Sequence, residues 1–160
     1  MLRILVDINC FAINLVEDHP GFPFVESVIG EGLRGMHQLV VLDPVPIRAF
    51  WVMTTQWGLN KSEVSETIED FVRAHSQVEY GGLNREDLEQ AFVLARSLHH
   101  DLYDCYYIAG ALAKGCNGIL TTDVGFRKLC KDLQALNGVA IDYRNPVPNE
   151  VLRRFSEYRL

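Results

Sequence analysis

The sequence lacks an excess of basic residues and a long apolar stretch. Of its 160 residues, 21 are acidic and 15 are basic, so the formal net charge at pH 7 is −6. A nucleic-acid partner would therefore have to meet a local basic patch or bound cations. The longest run without a charged residue, Ala49–Asn60, is shorter than the about 20 apolar residues that cross a bilayer, which predicts a protein outside the membrane.

Clustered cysteines and a leader-like segment are also missing. The apolar run after Arg3 is too short for a signal peptide, so we expect a cytoplasmic protein. No Cys-x-x-Cys pair occurs among the four cysteines, which stand singly at Cys10, Cys105, Cys116 and Cys130. We therefore expect buried free thiols and not a structural zinc site.

What the sequence does contain is an ordinary globular composition. Hydrophobic residues make up 48% and charged residues 22% of the chain, which excludes a disordered protein. No repeat, low-complexity tract or flexible linker divides the sequence. The length predicts a single domain over residues 1–160.

Short apolar segments alternate with amphipathic ones along the chain. Strands are predicted at Arg3–Val6, Gln38–Leu42, Ile119–Thr122 and near Val139–Ile141. Helices are predicted near Phe24–Leu33, at Ile47–Trp57, after the capping residues Asn60, Asn84 and Asp101, and around Phe126–Leu133. This alternation predicts an α/β fold with a mainly parallel sheet and helices on both faces.

Several large apolar side chains have helical spacing and are expected to face the core. In the helices after Asn84 and Asp101, this expectation covers Leu88, Ala91, Phe92, Ala95, Leu98, Leu102, Cys105 and Ala109. For Trp51, packing in the core or against a second subunit is favoured over stacking on a base.

Three acidic residues, remote in sequence, are expected at one edge of this sheet. Asp7 and Asp123 each end a predicted strand, and Asp104 lies in the first turn of a helix, which opens at the same edge. Clustered carboxylates repel one another, and Mg²⁺ or Mn²⁺ would neutralise them and activate water for phosphodiester hydrolysis. Alternatively, Asp104 interacts with the helix dipole, Asp123 caps a helix and Asp7 holds a turn.

Three segments together make the sequence resemble a known family. Ile4–Asn9 reads Ile-Leu-Val-Asp-Ile-Asn, Leu102–Ala109 begins Leu-Tyr-Asp, and Ile119–Phe126 contains Thr-Thr-Asp. In this order they resemble the PIN-domain ribonucleases, especially the toxins of VapBC-type toxin–antitoxin pairs. The resemblance covers essentially the whole chain and implies a three-layer α/β/α sandwich.

The resemblance also implies a function and a site. Asp7, Asp104 and Asp123 would bind Mg²⁺ or Mn²⁺ and catalyse the hydrolysis of RNA. Asn9 matches a polar position near the metal, and Thr122 matches the hydroxyl residue that precedes the last aspartate. A homodimer and a small antitoxin protein are the implied partners.

One residue departs from the family pattern. The family has a glutamate early in the helix after the second strand, where this chain has Arg48. A guanidinium could pair with Asp7 or Asp104 and disfavour metal binding. Alternatively, Arg48 points away and Asp43 supplies the missing oxygen, although Asp43 is also a typical turn residue before Pro44.

Basic residues follow the last of the three aspartates. Arg127, Lys128 and Lys131 could hold phosphates beside the metal site, or could simply form a solvated helix face.

Two main hypotheses remain. The first is a metal-dependent endoribonuclease that acts as a toxin, and the second is a catalytically degenerate PIN-like module that binds RNA or protein. A phosphotransfer domain with Asp7 as nucleophile ranks behind both, because Asn9 replaces the second carboxylate of an Asp-x-Asp motif. No Gly-x-Ser-x-Gly or Rossmann glycine motif is present, which argues against a serine hydrolase and a dinucleotide enzyme.

Overall fold

The computed structural model describes residues 1–158, so residues 159 and 160 of the predicted single domain lie outside the described part. It is an α/β fold built on a five-stranded sheet in which every strand pair is parallel. The strands are β1 Arg3–Val6, β2 Gln38–Leu42, β3 Glu79–Gly81, β4 Gly118–Leu120 and β5 Asp142–Arg144, in the spatial order β3-β2-β1-β4-β5.

Helices connect these strands. They are α1 Ile8–Ile13, α2 Phe22–Leu33, α3 Pro44–Trp51, α4 Lys61–Ala74, α5 Arg85–Leu98, α6 Leu102–Ala113, α7 Gly125–Asn137 and α8 Asn149–Leu152. A π-helical turn, Val52–Gln56, continues α3, and a 3₁₀ turn covers Phe155–Glu157. Within the described chain, none of the helices is both long and apolar enough to cross a bilayer.

The helices form two groups on opposite faces of the sheet. Helix α1 contacts α2 and α3, and α3 contacts α4, whereas α5 contacts α6 and α7. The chain moves outward from β1 to β3 and then returns across the sheet to β4. Because parallel crossovers are right-handed, this reversal places α1–α4 on one face and α5–α7 on the other. The predicted three-layer α/β/α architecture with a parallel sheet is confirmed.

The predicted bounds of β1 and β2 are correct, and those of the last two strands are shifted. The fourth strand ends at Leu120 and the fifth begins only at Asp142. Gly138 ends α7 with a φ of 75°, and the Asn137 side chain accepts a hydrogen bond from the Val139 amide. These residues therefore form a turn, although their apolar character favoured a strand.

Three helix starts follow the predicted capping residues. The side chain of Asn60 accepts from the amide of Glu63, and that of Asp101 accepts from the amide of Tyr103. The reciprocal capping box occurs at Asn84: its side chain accepts a hydrogen bond from the Asp87 amide, and its backbone amide donates one to the Asp87 carboxylate. The predicted box at Asn60 lacks the return bond.

The predicted inward stripe of α5 is wrong in part. Leu88 and Phe92 are each 47% exposed, and Leu102 at the start of α6 is 39% exposed. Because α5 packs mainly against α6, only a narrow face is covered, and that face carries Ala91 and Leu94. All four cysteines are buried free thiols, as predicted.

Candidate active site

Asp7 is a buried carboxylate at the carboxyl end of β1. It begins α1, where its Oδ1 accepts a hydrogen bond from the Cys10 amide at 2.8 Å. Its Oδ2 accepts a hydrogen bond from the hydroxyl of Thr121, just beyond β4. Both oxygens are therefore held in place by hydrogen bonds.

Asp123 lies just beyond the neighbouring strand. Its amide donates to the Thr121 hydroxyl at 3.0 Å, and its Oδ1 accepts from the Gly125 amide at 2.8 Å. Strands β1 and β4 flank the point where the strand order reverses. In parallel sheets, the crevice at the carboxyl ends of two such strands is the usual ligand site.

Asp104 reaches the same place from α6. It lies in the first turn of that helix, which is capped by Asp101. One cavity of about 330 Å³ is lined by Asp7, Asp104 and Asp123 together. We call it the acidic cavity; its other walls include Asn9, Arg48, Trp51, Gln56, Tyr103 and Tyr107.

Negative charge in the acidic cavity is poorly compensated. Burial raises the pKa of Asp7 from 3.8 to about 6, against the lowering effect of its hydrogen bonds. Burial, together with the charges of Asp123 and Asp101, raises the pKa of Asp104 to about 6. A bound cation would relieve both effects, because it favours the ionised carboxylates.

The donor chemistry of the cavity suits a hard divalent cation, which prefers oxygen ligands. However, residues 1–158 contain no group of three His, Cys, Asp or Glu side chains close enough together to hold a metal ion as they stand. Asp104 and Asp123 form no ion pair within the described residues, so no salt bridge holds either side chain in its present position. The metal-ligand role of the three aspartates stays a prediction.

Arg48 adopts neither of the two predicted arrangements. It lines the acidic cavity but forms no salt bridge with Asp7 or Asp104. Its Nη1 donates to the Tyr103 hydroxyl at 3.0 Å, and its guanidinium lies over the Tyr103 ring, 4.4 Å from the centroid. The neutral aromatic partner offers both a hydrogen-bond acceptor and a cation–π contact, so Arg48 needs no carboxylate.

The structure places some of the other predicted supporting residues at the acidic cavity and others away from it. Asn9 lines the acidic cavity, whereas Thr122 is buried and lines a separate cavity beside it. Asp43 is exposed at the end of β2 and does not line the acidic cavity; its Oδ2 faces Gly82. A role for Asp43 as the missing oxygen is therefore not supported.

The predicted basic group lies away from the acidic cavity. Arg127 and Lys131 line a different cavity, and the Arg127 guanidinium lies 5.3 Å from the centroid of the Tyr143 ring. Lys128 is paired with Asp132 at 2.6 Å. Their contact with RNA phosphates stays a prediction, and it would occur outside the acidic cavity.

Sequence reasoning missed two side chains of the site. Thr121, not Thr122, holds Asp7, because the chain leaves β4 after Leu120 and only Thr121 turns its hydroxyl toward β1. Tyr107 lies in the apolar stretch of α6 and is 4% exposed, so its pattern is that of a core residue. No local sequence signal distinguishes either one.

Comparison with known proteins gives matches at the level of structure. No protein-family model and no curated protein matches the sequence. VapC20 from Mycobacterium tuberculosis, described as a sarcin–ricin loop cleaving toxin, has a TM-score of 0.63 at 15% identity, covering 78% of this chain and 92% of its own. VapBC2 from Rickettsia felis, in a structure bound to a DNA fragment from its promoter, has a TM-score of 0.64 at 10% identity. The match covers 89% of this chain and 98% of that chain. PAE2754 from Pyrobaculum aerophilum has a TM-score of 0.56 at 16% identity, covering 98% of this chain and 90% of its own.

These matches cover most of both chains in each comparison. Identities of this size show a shared fold and not a shared activity. The parallel sheet, its strand order and the acidic edge beyond β1 and β4 agree with the resemblance of the three sequence segments. The chain therefore has the PIN-domain fold of the VapC-like proteins.

Proposed function

We propose that this chain is a metal-dependent endoribonuclease that hydrolyses RNA phosphodiester bonds, the toxin of a toxin–antitoxin pair. The observation that carries the proposal is the meeting of Asp7, Asp104 and Asp123, from three remote segments, in one cavity at the switch point of the sheet. The fold supports it, because one structural neighbour is a toxin that cleaves the sarcin–ricin loop.

Each residue has a distinct part in this chemistry. A Mg²⁺ or Mn²⁺ ion held by the three aspartates would supply Lewis-acid activation of water. Thr121 and the Cys10 amide hold the Asp7 carboxylate in one orientation. Asp7 and Asp104, with pKa values near 6, are ionised above neutral pH and lose that charge in mild acid.

The proposal extends to the partners and the location that the family resemblance implies. We propose a small antitoxin protein that binds this chain, a homodimer and a cytoplasmic location. The match to VapBC2, whose structure contains promoter DNA, supports an antitoxin partner.

A Mn²⁺ titration followed by thermal unfolding tests the metal site. We expect wild-type stability to rise with concentration as RT ln(1 + [L]/Kd), and we expect Asp104→Asn and Asp123→Asn to lose most of that rise. Asp43→Asn is the matched control, because it removes an exposed carboxylate outside the cavity. No rise in the wild type, or an equal loss in the control, contradicts the metal site.

Cleavage of a structured RNA with Mn²⁺ tests the reaction itself. We expect cleavage by the wild type and by Asp43→Asn, and none by Asp104→Asn. Unchanged cleavage by Asp104→Asn would trace the activity to a contaminant and overturn the proposal.

A second candidate function is a PIN-like module that binds RNA or protein without cleaving. Arg48 favours it, because a cation occupies the wall where the resemblance expects a glutamate. Arg48→Glu separates the two functions. Metal-dependent cleavage that appears only in this variant would identify the wild type as a degenerate module, whereas cleavage already present in the wild type supports the nuclease.

A further inference from the structure

Three side chains form a wall between the acidic cavity and a larger one. Arg48, Tyr103 and Tyr107 line both cavities. The larger cavity has a volume of about 510 Å³. We call it the apolar cavity; its other walls are Pro44, Leu88, Ala91, Phe92, Leu102 and Tyr106.

Two polar atoms on this wall are buried without a partner. The Tyr107 hydroxyl and the Arg48 Nε have no hydrogen-bond partner within residues 1–158, and Tyr107 is only 4% exposed. Buried polar groups are paired in the great majority of cases, since an unpaired one loses its hydration without compensation. The Arg48 Nε can only donate and the Tyr107 hydroxyl can also donate, so one acceptor would satisfy both atoms.

The acceptor expected here is an anion. Arg48 is the sole cationic side chain that lines either cavity in the described part of the chain. Tyr103 holds it by stacking and by a hydrogen bond to one terminal nitrogen. Within residues 1–158 its other guanidinium nitrogens make no hydrogen bond, and a guanidinium can bind a phosphate through two parallel hydrogen bonds.

The apolar cavity continues from this anion site. Leu88, Phe92 and Leu102 expose large apolar surfaces around it. A cavity of this volume and apolar lining takes a flat ring, and proteins that recognise single-stranded RNA place unstacked bases on such surfaces.

We propose that Arg48 and Tyr107 bind a phosphate of single-stranded RNA and that the apolar cavity binds the base of the attached nucleotide. This inference rests on the proposed RNA substrate and names how the substrate is held. Tyr103 is a positioning residue in this arrangement, because it acts through Arg48. The site selects RNA with an unpaired, unstacked nucleotide next to the bond in the acidic cavity.

Binding of fluorescein-labelled single-stranded RNAs of about 12 nucleotides tests the phosphate contacts. The Asp123→Asn variant serves as the parent protein, so that the RNA stays intact. We expect Arg48→Gln to weaken binding about tenfold and Tyr107→Phe about threefold, with Arg48→Lys between Arg48→Gln and the parent.

Stability separates a binding role of Tyr107 from a structural one. Removing an unpaired buried hydroxyl leaves thermal stability unchanged or raises it, so we expect Tyr107→Phe to weaken RNA binding without lowering the melting temperature. Tyr80→Phe is the matched control, because Tyr80 on β3 also has a buried, unpartnered hydroxyl but lines neither cavity. Arg73→Gln is the control for the arginine, since Arg73 pairs with Glu69 on α4.

Abasic substitution tests the base contact. An RNA that lacks one base is compared with the intact RNA at each position in turn. We expect that removing the base at one position weakens binding to the parent protein about tenfold. We expect the same removal to have no effect on binding to the Phe92→Ala variant. Ile47→Ala, in a separate apolar cavity, is the control.

The outcomes distinguish this inference from the proposed function. Equal RNA affinity in Arg48→Gln, Tyr107→Phe and the parent overturns the inference, while cleavage by the wild type still supports the nuclease. An abasic profile unchanged by Phe92→Ala, together with a shift from dimer to monomer in sedimentation, assigns the apolar cavity to a subunit contact and overturns the base site. Failure of every RNA to bind or be cleaved overturns both proposals.

Discussion

Thr121 and Asp7 are joined by a hydrogen bond although they lie 114 residues apart in sequence. The Thr121 hydroxyl donates to Asp7 and accepts from the amide of Asp123. One side chain thus links the carboxyl ends of β1 and β4 and sets two of the three aspartates relative to each other. The Thr121 hydroxyl therefore contributes directly to the geometry of the acidic cavity.

Replacing this hydroxyl is expected to destabilise the protein. Thr121→Val keeps the shape but removes a donor to a buried carboxylate, so we expect the free energy of unfolding to fall by about 1–2 kcal/mol. Thr122→Val is the control, since the Thr122 hydroxyl makes no hydrogen bond within residues 1–158. Urea unfolding measures both, and equal effects would contradict the assignment of the link to Thr121.

Asp7 is expected to make stability depend on pH. Its pKa in the folded protein, about 6, lies above its ordinary value of 3.8, so the folded state holds the proton more tightly than the unfolded chain. The contribution of Asp7 to the free energy of unfolding therefore increases as the pH falls from 6 toward 4, and it is smallest above pH 6. Asp7→Asn removes the cost of burying an ionised carboxylate. We therefore expect this substitution to stabilise the protein by about 1–3 kcal/mol more at pH 7.5 than at pH 4.

Unfolding by urea in EDTA at a series of pH values measures this difference. EDTA keeps divalent cations from lowering the pKa of the carboxylates. A difference between variant and wild type that stays constant from pH 4 to 7.5 would contradict the raised pKa of Asp7.

The sequence was sufficient to predict the layers of the fold and the edge at which the aspartates lie. Strands β1 and β2 are continuous apolar runs, and Asn60, Asn84 and Asp101 are strong capping residues, so local patterns determine them. Strand β3, by contrast, is three half-buried residues that pair with β2 at the edge of the sheet, and its sequence carries no apolar run. Such an edge strand depends on its neighbour more than on its own residues.

The sequence predicts which residues belong to the site, but not which contacts their side chains make. Helical spacing does not say which face of α5 is covered, so the pattern predicts Leu88 and Phe92 in the core, although they line the apolar cavity. The direction of Arg48 depends on Tyr103, which lies 55 residues away in sequence. Pairings at this separation arise from tertiary packing, which one sequence does not reveal.

Trp51 is expected to report RNA binding. It is 50% exposed and lines the acidic cavity, whereas Trp57 is 8% exposed and packs against His19 and Tyr158. We therefore expect RNA to change the tryptophan fluorescence of the Asp123→Asn protein, and Trp51→Phe to abolish the change. A change that persists in Trp51→Phe and disappears in Trp57→Phe would contradict binding at the acidic cavity.

The basic residues of α7 are expected to contribute unequally to RNA binding. Lys131 makes no salt bridge in the described residues, whereas Lys128 is paired with Asp132. If RNA extends across this helix, Lys131→Ala should reduce the slope of log K against log salt by about 1, and Lys128→Ala should reduce it less. Equal slopes in Lys131→Ala and the wild type would show that RNA does not contact this face.

We propose that Asp7, Asp104 and Asp123 hold a divalent cation between them. An anomalous difference map from a crystal soaked in Mn²⁺ tests this most directly. We predict a manganese peak in the acidic cavity within ligand distance of all three carboxylates, and its loss in Asp123→Asn. A fully soaked crystal with no peak there, or with a peak bound by other residues, would contradict the account.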